Sequence, residues 1–164
     1  MSTAVKLEGV SRIYRQGNVS VNALTHIDLE IRKGDFAVLV GPSGSGKTTL
    51  LNLIGGLDTP SEGRIAVDGT EIGRMSRSQL SEVRLHKIGF VFQEFNLIPV
   101  LSALENVEFV MLLQGVPEGQ RRDRASALLK ELGLEGLEHR RPNELSGGQQ
   151  QRVEIGRASC RERV

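Results

Sequence analysis

The first third of the chain alternates between apolar and polar residues in the manner of β-strands. Residues 27–31 carry apolar side chains at every second position, which predicts a half-buried strand. Residues 4–10 alternate more loosely and predict another strand, and a polar loop at residues 15–20 lies between the two. Residues 64–69 end in Asp-Gly and predict one arm of a β-hairpin with its turn.

Two apolar runs show no alternation, one at residues 36–40 and one at residues 88–92. Short runs that contain β-branched or aromatic residues are typical of strands covered on both faces. We therefore expect both runs to be buried strands of a central sheet.

Apolar residues take a helical spacing in the middle of the chain. Residues 48–57 and 76–87 each place apolar side chains on one face. Residues 102–115 begin with a Ser-x-x-Glu capping box and end at a glycine, and residues 117–133 begin with a proline and also end at a glycine. The sequence thus predicts four helices, of which the last two form a helical insert.

A glycine-rich segment, GPSGSGKTT at residues 41–49, separates the first apolar run from the first helix. A strand, a glycine-rich turn and a helix N-terminus together form a cradle for anions, because backbone N–H groups and the helix dipole favour negative charge there. Lys47 is expected to reach the β- and γ-phosphates of a nucleotide, and the Thr48 hydroxyl to bind Mg²⁺. A chance glycine-rich turn is the alternative. The predicted nucleotide-binding residues of this phosphate loop are Gly41, Pro42, Ser43, Gly44, Ser45, Gly46, Lys47, Thr48 and Thr49.

Two further residues are weaker candidates when they are considered alone. Tyr14, the chain's only tyrosine, lies beside the polar loop, where it can stack on an adenine ring or simply pack against the protein. Gln93 follows the second apolar run, and ligands of open α/β sheets bind beyond the carboxyl ends of strands. A glutamine there can contact Mg²⁺ or water, although a merely solvated side chain is the more common case.

A second capping box occurs at residues 146–149, where Ser146 precedes Gln149 by three positions. Gly147 and Gly148 lie between them, in what becomes the first turn of a helix. Each glycine there costs about 1 kcal/mol relative to alanine. The glycines make sense where a charged ligand approaches the helix end closely, and a plain cap with a flexible turn is the alternative.

Composition narrows the class of protein without naming a function. The chain has 164 residues, 38% of them hydrophobic and 25% charged, with a net charge of +1, so no electrostatic argument favours nucleic acid. Uninterrupted apolar runs are far shorter than the roughly 20 residues that span a bilayer. A single cysteine allows no disulfide framework. We expect a cytoplasmic protein that does not bind nucleic acid.

The phosphate loop and residues 145–149 (LSGGQ), about a hundred residues apart, together resemble the ATP-binding-cassette ATPases. Residues 145–149 match that family's signature motif and are called the signature segment below. Gln93 falls on the family's Q-loop, and Tyr14 falls on its adenine-stacking aromatic residue. The resemblance covers residues 4–153.

This resemblance implies a fold, two ligands and a partner. The fold is an α/β phosphate-loop NTPase core with an N-terminal antiparallel β subdomain, an α-helical subdomain and no C-terminal part of the core. The cofactors are ATP and Mg²⁺, with Thr48 and Gln93 toward the metal and Lys47 and Gln93 in catalytic roles. The family works as a head-to-tail dimer. In that dimer, the ATP of one subunit is covered by the partner's copies of Ser146, Gly147, Gly148 and Gln149.

The amino-acid sequences of four segments are similar to those of the macrolide-exporter and lipoprotein-release branch of the family. These segments are residues 52–58, 90–99, 104–107 and 145–153. The branch implies an ATPase subunit, peripheral on the inner face of the cell membrane, that serves an integral-membrane permease. Its cargo is lipoproteins, drugs or peptides.

The end of the sequence departs from the family pattern. The family continues with a strand ending in Asp, then a water-activating Glu, then a histidine, and none of these follows residue 153 here. We therefore expect these 164 residues to hydrolyse ATP poorly or not at all. Without the later strands, the apolar runs at 36–40 and 88–92 lose their cover, and we expect poor solubility.

Residues 154–164 correspond to what a common sequencing-library adapter encodes in one reading frame. Ile-x-Arg-Ala at residues 155–158 also fits the family's usual continuation, whereas Glu154 departs from the small residue usual there. The expected domains are a partial nucleotide-binding domain at 1–153, its helical subdomain at about 99–153, and a non-native tail at 154–164.

Three other classes of function compete with an exporter ATPase. A cassette ATPase of DNA repair or translation has no permease, but such proteins tend to carry long coiled-coil insertions or duplicated cassettes. A non-hydrolytic nucleotide-binding fragment is the second alternative. A small-molecule kinase also has a phosphate loop, but it leaves the signature segment unexplained.

Overall fold

The computed structural model describes residues 2–17 and 19–160 and divides the chain into two compact units, Met1–Val83 and Arg84–Val164. Residue 18 of the predicted polar loop and residues 161–164 of the predicted tail lie outside the described residues. Each unit is described by itself.

The first unit contains an antiparallel sheet of four strands in the order β2-β1-β3-β4. The strands are β1 Thr3–Gln16, β2 Val19–Arg32, β3 Glu62–Val67 and β4 Thr70–Glu71. The strands predicted at 4–10 and 27–31 are confirmed. The loop predicted at 15–20 is too long, because Arg15 pairs with Ser20 and the hairpin continues almost to its tip.

The predicted Asp-Gly hairpin turn is also confirmed. Asp68 and Gly69 both have positive φ, 47° and 72°, and Val67 pairs with Thr70 across the turn. Two central residues with positive φ match the right-handed twist of the strands on either side. Leu7 and Ile65 lie buried on this sheet at 2% and 0% exposure.

Helix α1 Lys47–Ile54 lies in this unit, and α2 Arg77–Lys87 begins in it and runs across the unit boundary after Val83. Helix α1 buries Leu50 and Leu53, and α2 buries Leu80. Both helices agree with the predicted segments 48–57 and 76–87 to within a few residues.

The second unit is built from three helices around one apolar core. They are α3 Ala103–Leu113, α4 Glu118–Glu131 and α5 Gly147–Ser159, and a 3₁₀ turn at Pro142–Glu144 precedes α5. Ser102 and Glu105 form the predicted capping box of α3. The predicted stops after α3 and α4 are confirmed at Gly115 and Gly133, which have φ of 77° and 66°. Among the helices within residues 2–17 and 19–160, none is long and apolar enough to cross a membrane.

The two predicted buried strands at 36–40 and 88–92 are wrong for this structure. Neither segment is a strand, and Phe36 and Val40 are 94% and 89% exposed. A run of this kind becomes a strand only when a neighbouring strand pairs with its backbone. The four described strands pair with one another and not with either run. The first run is therefore largely exposed, whereas Ile88 and Phe90 of the second run are half-buried.

Candidate nucleotide-binding site

The phosphate loop leads directly into α1 and is shaped by two left-handed glycines. Gly44 and Gly46 have φ of 80° and 88°, a region that glycine enters at little cost. The Ser45 N–H donates to the Pro42 carbonyl at 3.3 Å and closes a turn inside the loop. The glycine-rich sequence therefore folds back on itself immediately before the helix.

The Lys47 side chain lies inside this loop. Its Nζ donates to the carbonyl oxygens of Gly41 and Pro42 at 2.7 Å each and to Ser45 Oγ at 3.3 Å. One ammonium group thus ties the beginning of the loop, at Gly41 and Pro42, to Ser45. The loop presents a fixed positive charge at its centre, the type of group that binds phosphate oxygens.

Helix α1 begins without a capping side chain. Its N-cap is Gly46, no side chain caps its N–H groups, and its first turn carries no acidic residue. By contrast, α3 and α5 both begin with complete capping boxes. The first N–H groups of a helix have no partner within the helix, and the dipole adds positive potential there. This uncapped end next to Lys47 fits a phosphate group.

The loop is packed closely against strand β2. A Cβ at Gly46 would lie 2.6 Å from the Ala23 carbonyl oxygen and 2.8 Å from Leu24 Cδ2. A Cβ at Gly41 would lie 2.8 Å from Ser45 Oγ. A side chain at Gly46 would displace β2, so glycine is required there by space as well as by φ. A side chain at Gly41 would displace the Ser45 hydroxyl.

Tyr14 lies on β1 in a polar cluster that the sequence analysis did not foresee. Its hydroxyl donates to Asp58 Oδ2 at 2.8 Å, and Arg12 Nη2 pairs with Asp58 Oδ1 at 2.7 Å. The Arg12 guanidinium lies 4.6 Å from the centre of the Tyr14 ring. The alternation of a strand, which puts Arg12 and Tyr14 on one face, could have indicated the first pair. Asp58 is 44 residues from Tyr14 and gives no local signal.

The signature segment forms the predicted capping box. Ser146 Oγ accepts from the Gln149 N–H at 3.3 Å, and Gln149 Oε1 accepts from the Ser146 N–H at 2.8 Å. Gly147 and Gly148 are exposed in the first turn of α5, with the Phe95 ring 3.9 Å from a Cβ built at Gly147. The first turn of α5 therefore has exposed backbone at Gly147 and Gly148.

Gln93 is exposed in an irregular segment of the second unit. Side chains of helix α5 form hydrogen bonds with the backbone of residues near Gln93. The Phe92 N–H donates to Glu154 Oε1 at 2.9 Å, and Arg157 Nη1 donates to the Asn96 carbonyl at 2.9 Å. Phe95 and Asn96 have φ of 50° and 39°, uncommon for residues with side chains. Sequence reasoning did not find these contacts because they join residues about 60 positions apart.

Glu154 is fully buried on α5. Burial raises the pKa of its carboxyl group, against the hydrogen bond from Phe92 and the charge of Arg157, which lower it. Its Oε2 is among the buried side-chain atoms without a hydrogen-bond partner in the described residues. Burying a carboxyl group here lowers the stability of the fold. The family resemblance leads us to expect a small residue at this position.

The structure thus assembles the predicted residues into two groups, one in each unit. The first unit holds Tyr14 and the phosphate loop, and the second holds Gln93 and the signature segment.

Comparison with known proteins identifies the family. The model of the ABC transporter family matches residues 24–163. An uncharacterized ABC transporter ATP-binding protein of Thermotoga maritima is 48% identical over 164 residues, which cover 100% of this chain and 70% of that protein. The macrolide export ATP-binding/permease protein MacB of Escherichia coli is 48% identical over 158 residues, 96% of this chain but 24% of MacB.

Solved structures agree with this result. The ATP-binding cassette MJ0796, a protein of Methanocaldococcus jannaschii, has been solved as a dimer in a post-hydrolysis state bound to ADP and Pi. It superposes with a TM-score of 0.88 at 45% identity, covering 96% of this chain and 69% of that one. The chain belongs to the ABC transporter family and has the fold of its ATP-binding cassettes. The resemblance and the α/β fold class stated from the sequence are confirmed.

Proposed function

We propose that the phosphate loop binds the phosphates of Mg-ATP. The observation that carries this proposal is the closed loop around Lys47 at the start of α1, a helix without a capping side chain. The ammonium group and the free helix N–H groups supply positive potential at one point. The residues present therefore fit a triphosphate.

Each residue of the loop has a separate task in this proposal. Lys47 exchanges its loop carbonyl partners for β- and γ-phosphate oxygens, and Gly41, Gly44 and Gly46 allow the backbone to approach the phosphates. The Thr48 hydroxyl would hold Mg²⁺, which neutralises phosphate charge when it is bound. Magnesium keeps several waters and binds mainly through phosphates, so one protein ligand in this unit suffices.

Tyr14 would stack on the base of the same nucleotide. Tyr14 is 38% exposed on a strand of the same unit as the phosphate loop. An aromatic face binds a base without reading its edges.

We further propose that two copies of the protein form a head-to-tail dimer. Ser146, Gly147, Gly148 and Gln149 would then bind the γ-phosphate side of the ATP held by the partner subunit. The exposed glycines at the start of α5 support this, because they leave backbone N–H groups accessible to an anion. MJ0796 has been solved as a dimer, which supports the proposal that this chain also dimerises.

The transport role is proposed from the relatives. Macrolide export proteins of several bacteria match 94–96% of this chain at 46–48% identity, and each is an ATP-binding/permease protein. By analogy, the protein would act from the cytoplasm on the inner face of the membrane and drive an integral-membrane permease for macrolides or other drugs, lipoproteins or peptides.

We propose that the protein has the activity of its family, which is ATP hydrolysis coupled to transport. The residues assigned above account for positioning and charge neutralisation, which supply most of the catalysis of phosphoryl transfer. They do not include a group that activates the attacking water.

Hydrogen exchange with and without Mg-ATP tests the binding site by location. We expect slower exchange at the amides of residues 41–49 and at the start of α1, with α4 unchanged as an internal reference. Protection confined to α4 or absent from the loop would contradict the assignment.

A further inference from the structure

The cluster formed by Arg12, Tyr14 and Asp58 carries a further inference. We propose that Arg12 and Asp58 are positioning residues that hold the Tyr14 ring as a one-sided stacking platform for the base of the bound nucleotide. This inference rests on the proposed nucleotide function of the phosphate loop and deepens it. Asp58 has no local sequence pattern that marks such a role.

Arg12 covers one face of the ring. Its guanidinium carbon lies 4.6 Å from the ring centre, within the range of a favourable cation–π contact. Tyr14 is nevertheless 38% exposed. Because Arg12 lies over one face, a flat ligand would stack on the opposite face. The guanidinium also adds positive charge behind a ring on which an electron-rich base would stack.

Asp58 holds the hydroxyl end of the ring and the Arg12 guanidinium in place. One carboxylate oxygen accepts from the Tyr14 hydroxyl at 2.8 Å and the other from Arg12 at 2.7 Å, so both neighbours are held by a single group. The Asp58 N–H donates to the carbonyl of Asn52 in α1 at 3.2 Å. The platform is thereby attached to the helix whose first turn follows the phosphate loop.

Strand β2 links the platform to the loop from the other side. Arg12 pairs with Leu24 in the sheet, and Leu24 Cδ2 lies 2.8 Å from the Cβ position of Gly46. Tyr14 pairs with Val21, three residues before Leu24 on the same strand. The base platform and the phosphate loop therefore share one rigid support, which is the arrangement that one nucleotide bridging both would need.

The cluster also predicts weak selectivity between bases. The hydroxyl of Tyr14 and both oxygens of Asp58 are already engaged within the cluster. They are therefore not available to read a base edge, and stacking alone tolerates any base. We expect ATP and GTP to bind with affinities within about threefold of each other.

The test compares ATP with inorganic tripolyphosphate, which lacks a base. Affinities for both are measured by calorimetry for wild type, Arg12→Met, Asp58→Asn and Tyr14→Ala. Tyr14→Ala should weaken ATP about 5- to 100-fold, the range for loss of one base–aromatic stack. Arg12→Met should weaken ATP about two- to tenfold, from loss of a cation–π contact. Tripolyphosphate affinity should stay unchanged in all three.

Arg15→Met is the matched control, because it removes an exposed guanidinium from the same strand without touching the ring. A second readout comes from fluorescence. The chain has one tyrosine and no tryptophan, so tyrosine emission reports Tyr14 alone. ATP should quench this emission and tripolyphosphate should not.

A positioning role requires that the variants depend on each other. In the Tyr14→Ala background, Arg12→Met should have no further effect on ATP. An added loss there would mean that Arg12 contacts the nucleotide directly and would overturn the proposal, as would unchanged ATP affinity in Arg12→Met. If wild type binds neither ATP nor tripolyphosphate, the proposed function of the loop fails instead.

Discussion

Replacing Gly46 by alanine tests whether the phosphate loop depends on its close packing against β2. The change introduces a side chain at φ of 88°, which costs about 1–2 kcal/mol for an L-residue. It also places a Cβ 2.6 Å from the Ala23 carbonyl oxygen, a backbone atom that cannot move aside alone. Overpacking of this kind costs about 1–3 kcal/mol more. The expected total loss of unfolding free energy is about 2–5 kcal/mol.

Gly44→Ala is the matched control. Gly44 has nearly the same φ, 80°, but a Cβ there meets nothing within 4 Å. The Gly44→Ala variant should therefore lose only the conformational part of the unfolding free energy, about 1–2 kcal/mol. The difference between the two variants isolates the contact with β2, because both substitutions restrict the unfolded chain equally.

Urea unfolding followed by tyrosine fluorescence measures both variants, since Tyr14 reports the unit that contains the loop. With urea m-values of about 1–3 kcal/mol/M, a difference of about 1–3 kcal/mol corresponds to a midpoint shift of about 0.3–3 M between the variants. Gly44→Ala should, in turn, weaken Mg-ATP binding, because it fills the space that the phosphates would use. Equal midpoints for Gly44→Ala and Gly46→Ala would refute the packing argument.

Two further predictions concern α5. Ser146→Ala removes its cap and should lower stability by about 0.5–2 kcal/mol, as should Ser102→Ala at α3. In sedimentation with Mg-ATP, only Ser146→Ala should impair dimerisation, and equal impairment by both would count against the signature assignment. Burial raises the pKa of Glu154, so its stabilising contribution is largest below its unfolded pKa and is lost as pH rises. Glu154→Gln should therefore raise the thermal midpoint by circular dichroism at pH 7, with a gain that shrinks toward pH 4. A gain that grows on acidification would show that the sign is wrong.

The helices were predictable because their signals are local. Ser102 and Glu105 form a capping box within one turn, and Gly115 and Gly133 end helices by their own conformation. The Asp-Gly hairpin and the phosphate loop are local in the same sense. Such features do not depend on what the rest of the chain does.

The runs at 36–40 and 88–92 were not predicted correctly because a strand depends on its neighbours. Their composition favours burial, but the described residues provide no strand beside them, and Phe36 is 94% exposed. The role of Asp58 was not predicted for a related reason. Its contacts with Tyr14 and Arg12 join residues 44 or more positions apart, and no periodicity records such contacts.

The binding of Mg-ATP to wild type and to Lys47→Ala by calorimetry tests the central claim most directly. The Lys47 ammonium group donates hydrogen bonds to the carbonyl oxygens of both Gly41 and Pro42. Its positive charge lies at the centre of the proposed site. We expect saturable binding by wild type and none that can be detected for Lys47→Ala, with its tyrosine-monitored unfolding still cooperative. Equal affinity in the two proteins, or no binding by wild type, would contradict the assignment of this loop as the nucleotide site.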